Sequence, residues 1–270
     1  IGNLGDISRR ACQILSEVDL IAAEDTRRTK RLLDDIGITT KLTSYHVHNE
    51  ARTTEALMLQ LENGADIALV SDAGTPLISD PGFLLVKEAL FRGISVVPIP
   101  GPSAVTTALS VAGIPTTRFI FEGFAPAKST GRKAFFETFV RESRTIVYFE
   151  APHRIAKSLS DLGLVLGEVR QITVCREMTK TFEQVYTGSI RDVVSAIASN
   201  VIPEKGEFVV VVSGAVNRAS KYESSIDEER LLAELLRELP PAKAASIVAR
   251  LTRSSRSDLY SKALEMKQDL

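Results

Sequence analysis

One stretch of the sequence combines residue types that can bind a small molecule through the backbone. It is VSDAGTPLISDPG, Val70 to Gly82, and it directly follows an apolar run. Its glycines permit close ligand approach and its prolines rigidify the loop. Asp72 and Asp80 can accept hydrogen bonds, and free backbone groups can bind an adenosine. An ordinary strand–helix connection also contains turn residues, but the length and density of special residues favour a binding loop at the lip of a cleft.

Two polar segments also follow apolar runs, AEDTRRTKR from Ala23 and SYHVHNE from Ser44. Because carboxyl ends of parallel strands meet at one edge of a sheet, these side chains should converge beside the glycine loop. The candidate bases are Glu24, Asp25, His46 and Glu50. The candidate phosphate contacts are Arg27, Arg28, Lys30 and Arg31. A capped helix start followed by a solvated basic face explains these four cations equally well.

Charged side chains occur at two further strand ends in the second half of the chain, in YFEAPHR and CREMTK. They are Glu150, His153, Arg154, Arg176 and Glu177. Ion pairing among them accounts for these residues as well as a functional role does. No Ser-His-Asp order, nucleophilic cysteine setting or metal-ligand spacing is visible, so the pattern favours metal-independent group transfer over hydrolysis.

Two glycine-containing turns carry weaker signals. IPGPSA, from Ile99 to Ala104, joins a strand to a helix start whose free amides can bind an anion or a carboxylate. The opening GNLGD does not match GxGxxG, and no Walker lysine follows it. Neither a dinucleotide fingerprint nor a P-loop is therefore supported.

The composition is that of an average folded protein, with 44% hydrophobic and 25% charged residues among 270. The net charge of −1 excludes a general polycation, so any nucleic-acid contact must come from local patches. The only cysteines, Cys12 and Cys175, form no CxxC pair, which argues against a disulfide framework or a zinc site and favours a reducing cytosol. No apolar run approaches the roughly 18 residues of a membrane span, and no signal peptide is visible.

Strand-like and helix-like segments alternate in the first part of the chain. Helices are predicted at Ser8–Val18 (with Asp6 as N-cap), Thr26–Ile36, Ala51–Glu62, Gly82–Phe91 and Pro102–Val111. Strands are predicted at Leu20–Ala23, Lys41–His46, Ile67–Val70 and Val96–Ile99. This alternation predicts a parallel sheet with right-handed crossovers. Because the opening glycine turn normally follows a strand, we expect a first strand before Ile1.

The pattern changes after Gly113-Ile114-Pro115, which suggests a hinge between domains. Strands are predicted at Phe119–Phe121, Ile146–Phe149, Ile172–Cys175 and Phe208–Val212, with a further antiparallel strand at Glu183–Tyr186. Helices are predicted at Arg132–Arg141, Arg154–Leu166 and Arg191–Ser199. After a polar linker, Asn217–Ser225, come helices at Glu228–Leu239, Ala242–Leu251 and Ser257–Lys267. The expected division is an α/β domain at 1–113, a second α/β domain at 114–216 and a helix-turn-helix-like module at 226–270.

The assembled motifs resemble the tetrapyrrole methylase family of S-adenosylmethionine-dependent methyltransferases. They occur in family order from residue 1 to about Gly214: IGNLGD, AAEDTRRTKRLL, SYHVHNE, ALVSDAGTPLISDPG, PIPGPSA, RFIFEGFAPAK, TIVYFEAPHR, CREMTK and GEFVVVVSG. The resemblance implies an α/β fold class, with two α/β domains of tetrapyrrole-methylase type, a cofactor crevice between them and a small C-terminal helical module. It also implies a homodimer.

Matching the motifs to the family gives expected contacts to S-adenosylmethionine. They are Leu4, Asp72, Ala73, Gly74, Thr75, Ile78, Ser103, Ala104, Glu150 and Met178. Relatives acting on tetrapyrroles usually have aspartate where this chain has Thr75, and Asp72 is expected to take over part of that role. Since the sulfonium already activates the methyl group, the chemistry is mainly positioning, with a base to take the proton of an acceptor hydroxyl. Glu150 joins the four candidate bases.

The resemblance implies 2′-O-methylation of a cytidine ribose in the decoding region of 16S rRNA, on the assembled small ribosomal subunit in the cytoplasm. The expected RNA contacts are Arg27, Arg28, Lys30, Arg31, Lys128, Arg132, Lys133 and Arg154. Near-zero net charge favours a shaped ribonucleoprotein target over generic RNA binding. One alternative is a methyltransferase of a corrin or porphyrin precursor. Another is a non-catalytic sensor of adenosine-type ligands with a DNA-binding tail.

Overall fold

The computed structural model describes residues 1–215, 228–252 and 254–268. The predicted linker Asn217–Ser225 and Arg253 lie outside the described residues. The chain divides into two compact units, the first being Ile1–Ala215 and the second beginning after it. The predicted domain boundary at Gly113 falls inside the first unit, between two separate sheets, and stays a prediction.

The first sheet is parallel, as the strand–helix alternation predicts. Its strands are β1 (Leu20–Ala23), β2 (Leu42–Ser44) and β3 (Ile67–Val70), in the order β2-β1-β3. Ala23 pairs with Ser44 on one side and with Val70 on the other. The three strands therefore end at the same level, and the residues that follow them meet at one edge.

Four helices connect and cover this sheet: α1 (Arg9–Glu17), α2 (Thr26–Asp35), α3 (Glu50–Glu62) and α4 (Phe83–Phe91). The next helix, α5 (Ala104–Val111), packs instead against the second sheet, where its Val105, Ala108 and Leu109 contact buried strand residues such as Val147 and Val209. The predicted N-cap Asp6 is wrong, because the Ser8 side chain caps α1 by accepting from the Ala11 amide at 3.1 Å, while Asp6 lies in a short 3₁₀ turn. The helix predicted from Pro102 begins two residues later, at Ala104.

The strand predicted at Val96–Ile99 is not formed. A strand is defined by hydrogen bonds to a neighbour, and no described strand pairs with this segment. Val96 and Val97 are accordingly exposed. An apolar run alone therefore does not make this segment a strand, because it has no neighbouring strand among the described residues to pair with.

The second sheet has five strands in the order β4-β5-β8-β6-β7. They are β4 (Phe119–Phe124), β5 (Thr145–Glu150), β6 (Gln171–Arg176), β7 (Gln184–Ser189) and β8 (Phe208–Val212). Only β4 and β5 run parallel; the other pairs are antiparallel, including the predicted additional strand, β7. The central β8, FVVVV, is buried along its whole length, as expected for a strand covered on both faces.

Besides α5, three helices pack against this second sheet: α6 (Ser129–Glu137), α7 (Ile155–Leu166) and α8 (Ile190–Ala198). Helix α6 begins three residues earlier and ends four residues earlier than predicted. Large aromatic side chains, Phe136, Phe139 and Tyr148, are fully buried in the resulting core. This core fixes the position of the carboxyl end of β5.

The second unit is helical, as predicted. Helices α9 (Glu228–Glu238), α10 (Pro241–Thr252) and α11 (Arg256–Gln268) surround a core of leucine, alanine and valine side chains, among them Leu232, Ala244 and Leu259. Pro241 occupies the first position of its helix, where the missing amide costs nothing. Among the described residues, no helix has the length and apolarity needed to cross a membrane.

Candidate functional site

A hydrogen-bonded network joins the ends of β1 and β3. The Asp72 amide donates to Glu24 Oε2 at 3.1 Å, and the Asp25 amide donates to Asp72 Oδ1 at 2.9 Å. Arg28 Nη1 lies 3.4 Å from Asp72 Oδ2. The first residues of the glycine loop are thereby fixed to the adjacent strand.

The glycine loop then follows a backbone path that ordinary residues avoid. Gly74 and Gly82 have positive φ angles of 80° and 129°, and so do two non-glycine residues, Leu77 at 73° and Ser79 at 69°. At Gly82 the φ angle itself disfavours any side chain, and a Cβ would also lie 2.6 Å from Leu69 Cδ2. Positive φ at a non-glycine residue costs of order 1–3 kcal/mol and is concentrated at functional sites.

A second loop, PGPS, lies against the glycine loop. The Thr75 hydroxyl donates to the Pro102 carbonyl at 3.1 Å, and a Cβ at Gly74 would lie 3.8 Å from the same oxygen. Ser103, at the N-terminus of α5, makes no capping bond with its side chain. The Thr75 hydroxyl therefore links the glycine loop to the PGPS loop. The Ser103 hydroxyl, which makes no capping bond, can contact a ligand instead.

The second sheet contributes a buried carboxylate at the end of β5. Glu150 is 2% exposed, and its Oε1 accepts from the Ala151 amide at 2.8 Å and from Arg154 Nε at 3.0 Å. Its Oε2 is buried and bonded to none of the described residues. Met178, also buried, lies between Glu177 and Thr179, which both have positive φ. Met178 and Ile78 are thus alike in that each lies between two non-glycine residues with positive φ.

These parts surround a cavity of about 340 Å³. Its walls include every predicted cofactor contact except Leu4: Asp72, Ala73, Gly74, Thr75, Ile78, Ser103, Ala104, Glu150 and Met178. Leu4 lines a neighbouring cavity of about 400 Å³, which shares Asp72, Ala73 and Gly74 with the first. The contacts to a cofactor stay predictions, but the residues named for them lie together.

The predicted bases are divided by the strand order. Glu24 and Glu150 line the cavity; Asp25, His46 and Glu50 do not. His46 and Glu50 follow β2, which lies on the side of β1 away from β3 and its glycine loop. Hydrogen bonds from Arg27 hold the pKa of Asp25 far below its usual range, which makes it a poor proton acceptor.

Three carboxylates in the cavity wall, those of Asp72, Asp80 and Glu207, were not among the predicted bases. Burial raises the pKa of Asp80, which lines the cavity, from 3.8 to about 6. A hydrogen bond from Ser71 lowers this pKa, and the negative charges of Glu24 and Asp72 raise it further. Glu24, Asp72 and Glu150 each accept a hydrogen bond from a backbone amide, and Glu207 pairs with Lys180 at 3.0 Å. The hydrogen-bond partner of Asp80 is instead a side-chain hydroxyl, that of Ser71. The sequence signal was the second aspartate of the glycine loop, but its burial depends on the fold.

The predicted RNA contacts differ in how available they are. Arg27 pairs with Asp25, Lys30 pairs with Asp34, and Arg28 lines the cavity. Arg31 and Lys128 are exposed, and Lys133 lies 3.7 Å from Asp161. Arg154 forms an ion pair with Glu150, which is the alternative to a functional role that the sequence analysis left open for these two residues.

Arg132 requires a correction. It is 3% exposed, and its Nε and Nη2 donate to Asp161 Oδ2 at 2.9 Å and 2.5 Å. Two further donations reach the carbonyls of Pro126 and Ala127. A guanidinium buried and bonded in this way holds α6 to α7 and cannot contact a phosphate. Among the described residues, no group of His, Cys, Asp and Glu side chains is arranged to hold a metal ion.

Comparison with known proteins gives the family. Residues 1–194 match the family model described as Tetrapyrrole (Corrin/Porphyrin) Methylases, and residues 223–267 match the RsmI C-terminal HTH domain. The chain is 48% identical over 261 residues to Ribosomal RNA small subunit methyltransferase I of Xylella fastidiosa, covering 96% of this chain and 94% of that protein. A protein with the same name from Escherichia coli O157:H7 is 45% identical, covering 99% and 93%.

Solved structures show the same fold at lower identity. The methyltransferase CobJ aligns with a TM-score of 0.57 at 18% identity, over 79% of this chain and 90% of that one. The uroporphyrin-III-C-methyltransferase from Thermus thermophilus aligns with a TM-score of 0.55 at 15% identity, over 82% and 94%. The chain belongs to the tetrapyrrole methylase family, in the branch whose curated relatives are named ribosomal RNA small subunit methyltransferase I.

Proposed function

We propose that this chain transfers a methyl group from S-adenosylmethionine to the 2′ oxygen of a cytidine ribose in the decoding region of 16S rRNA. The observation that carries the proposal is the cavity between the glycine loop and the buried end of β5. The names of the relatives at 43–48% identity support small-subunit rRNA as the substrate. The structural neighbours below 20% identity support the fold alone.

The residues of the cavity fit an S-adenosylmethionine molecule. At about 340 Å³ the cavity lies within the range of small-molecule sites. The unbonded Oε2 of Glu150 is a buried acceptor that needs a donor, such as a ribose hydroxyl or an ammonium group. Ile78, Val105, Met178 and Val209 supply apolar wall. A ligand with polar ends and an apolar middle satisfies both kinds of surface.

When bound, S-adenosylmethionine supplies a methyl group that its sulfonium already activates. The two strained loops, around Ile78 and Met178, hold that ligand in one position and exclude water from the reacting atoms. Asp80 would accept the proton of the ribose hydroxyl as the oxygen forms its bond to the methyl carbon; the bond from that carbon to sulfur breaks at the same time, and S-adenosylhomocysteine would leave with the electron pair. Its pKa near 6 leaves it ionised at neutral pH and basic enough to take that proton.

The substrate is bound as a folded ribonucleoprotein. The chain as a whole has a net charge of −1, so the phosphate contacts must be local. Exposed cations lie along α2 and before α6: Arg31 and Lys128, and also Arg27, Arg28 and Lys30, whose ion pairs with aspartates would have to yield to a phosphate. The functional protein is proposed to be a homodimer, in line with the family resemblance.

The proposal is tested by methyl transfer in vitro. The full-length protein is incubated with labelled S-adenosylmethionine and small ribosomal subunits from a strain lacking the enzyme, with protein-free 16S rRNA and a corrin precursor in parallel. We expect label in the rRNA of the subunits and little in the free rRNA. Label in the corrin precursor alone would replace the proposed substrate. Cofactor binding without transfer to any acceptor would favour a non-catalytic sensor.

A further inference from the structure

An irregularity in β4 places an aromatic side chain in the cavity wall. Phe119, Ile120 and Phe121 pair with consecutive residues of β5, but Phe124 pairs with Phe149, two positions after the partner of Phe121. Three steps along β4 therefore correspond to two along β5, which is a β-bulge. Gly123, with φ of 68°, accommodates it. Bulges of this kind redirect a side chain and are frequent beside active sites.

Because of the bulge, two phenylalanines of β4 reach the same neighbour. The ring centroids of Phe121 and Phe124 lie 4.8 Å and 5.3 Å from that of Phe149, both in edge-to-face geometry. Without the extra residue, side chains three positions apart would point to opposite faces of the strand. Phe149 holds Phe124 in place while Phe124 itself stays 55% exposed.

Phe124 and Phe149 both line the cavity, and Phe124 is the more exposed of the two. Glu150 and Met178 are buried, whereas Phe124 is more than half exposed and lies at the rim. The bulge also brings β4 close to the glycine loop, since a Cβ at Gly123 would lie 3.7 Å from the Ser79 hydroxyl oxygen. Ser79 directly precedes Asp80, so the exposed ring lies on the side of the cavity where the proton acceptor is.

We propose that Phe124 is the surface on which the base of the acceptor nucleotide stacks, so that its ribose reaches Asp80. This inference rests on the proposed function. A ribose hydroxyl inside a folded RNA becomes accessible when its nucleotide leaves the stack, and aromatic side chains commonly receive such bases. The buried part of the cavity holds the small ligand, and the exposed ring at the rim is free for a macromolecular substrate.

The test compares Phe124→Ala with Phe124→Leu and Phe124→Trp in the full-length protein. Loss of one stacked base corresponds to roughly a ten- to hundredfold change in binding. We expect Phe124→Ala to lower kcat/KM for small subunits by that factor, mainly through KM, while the Kd for S-adenosylmethionine changes less than twofold. Phe124→Leu, which keeps an apolar side chain without a ring, should stay impaired, and Phe124→Trp should retain most of the activity.

Phe119→Ala is the matched control, because Phe119 lies on the same strand, is 42% exposed and is not part of the cavity wall. It should leave kcat/KM unchanged. Four results would overturn the proposal: unchanged kcat/KM in Phe124→Ala, an equal loss in Phe119→Ala, a parallel rise in the Kd for S-adenosylmethionine, or a change in oligomeric state. Absence of transfer by the wild-type protein would instead refute the proposed function, and the stacking proposal with it.

Discussion

Replacing Asp80 with asparagine should stabilise the protein while lowering its activity. In the folded chain, burial and the charges of Glu24 and Asp72 raise the pKa of this carboxyl from 3.8 to about 6. A group with a raised folded-state pKa contributes stability that is complete below its unfolded pKa and is lost as pH rises through the folded value. The wild-type protein therefore loses stability between about pH 4 and pH 6 from this group, and Asp80→Asn does not.

The size of the effect follows from the shift. About two pH units at roughly 1.4 kcal/mol each give an upper limit of about 3 kcal/mol. Asp80 keeps partial access to solvent, which screens its charge, so we expect Asp80→Asn to be more stable than wild type by about 1–2 kcal/mol at pH 8. Removing a proton acceptor should lower the rate of methyl transfer by roughly a hundredfold or more.

The assay is urea denaturation of both proteins between pH 4.5 and pH 8. The difference in free energy of unfolding should grow with pH up to about 7 and then level off, and the wild-type transfer rate should rise through about pH 6. Asp25→Asn is a control of opposite sign, because hydrogen bonds from Arg27 lower the pKa of Asp25 from 3.8. Its stabilising effect is lost only below that value, so Asp25→Asn should be less stable than wild type by an amount that stays constant between pH 4.5 and pH 8. A stability difference for Asp80→Asn that does not depend on pH would refute this reasoning.

Three further substitutions test other parts of the site. Gly74→Leu should abolish S-adenosylmethionine binding in calorimetry with an unchanged circular dichroism spectrum, whereas Gly64→Leu, with a similar positive φ but open space around it, should bind normally. Glu150→Gln should raise the Kd for S-adenosylmethionine about tenfold or more, since its buried oxygen needs a donor; an unchanged Kd would contradict the assigned contact. Arg132→Ala should lower the free energy of unfolding by about 3 kcal/mol, because the buried Asp161 would keep only the Ser129 hydroxyl and the more distant Lys133 as partners, without changing the affinity of the folded protein for small subunits. A stable Arg132→Ala protein with weaker subunit binding would restore Arg132 as an RNA contact.

Strands whose signal is local could be predicted from the sequence. Leu20–Ala23, Ile67–Val70 and Phe208–Val212 are apolar runs next to turn residues, and the structure gives them the predicted bounds. Val96–Ile99 has a similar apolar character, but a strand also needs a neighbour to pair with. That requirement is not local, so the pattern alone led to a wrong prediction.

The candidate site shows the same division between local and non-local information. Glycine, proline and aspartate in one loop were enough to identify the cavity wall. The order β2-β1-β3 was not predictable, and it moves His46 and Glu50 away from the glycine loop. The burial of Arg132 depends on Asp161, 29 residues further along the chain. Chemistry that depends on such pairings could be assigned only after the fold was known.

The central claim is tested most directly by nucleoside analysis of the methylated RNA. Small subunits from a strain lacking the enzyme are treated with the protein and S-adenosylmethionine, and the 16S rRNA is digested and examined by mass spectrometry. The account predicts one new 2′-O-methylcytidine, located in the decoding region and absent after treatment with Gly74→Leu. A methyl group on a base, or no new methylated nucleoside in the rRNA, would contradict it.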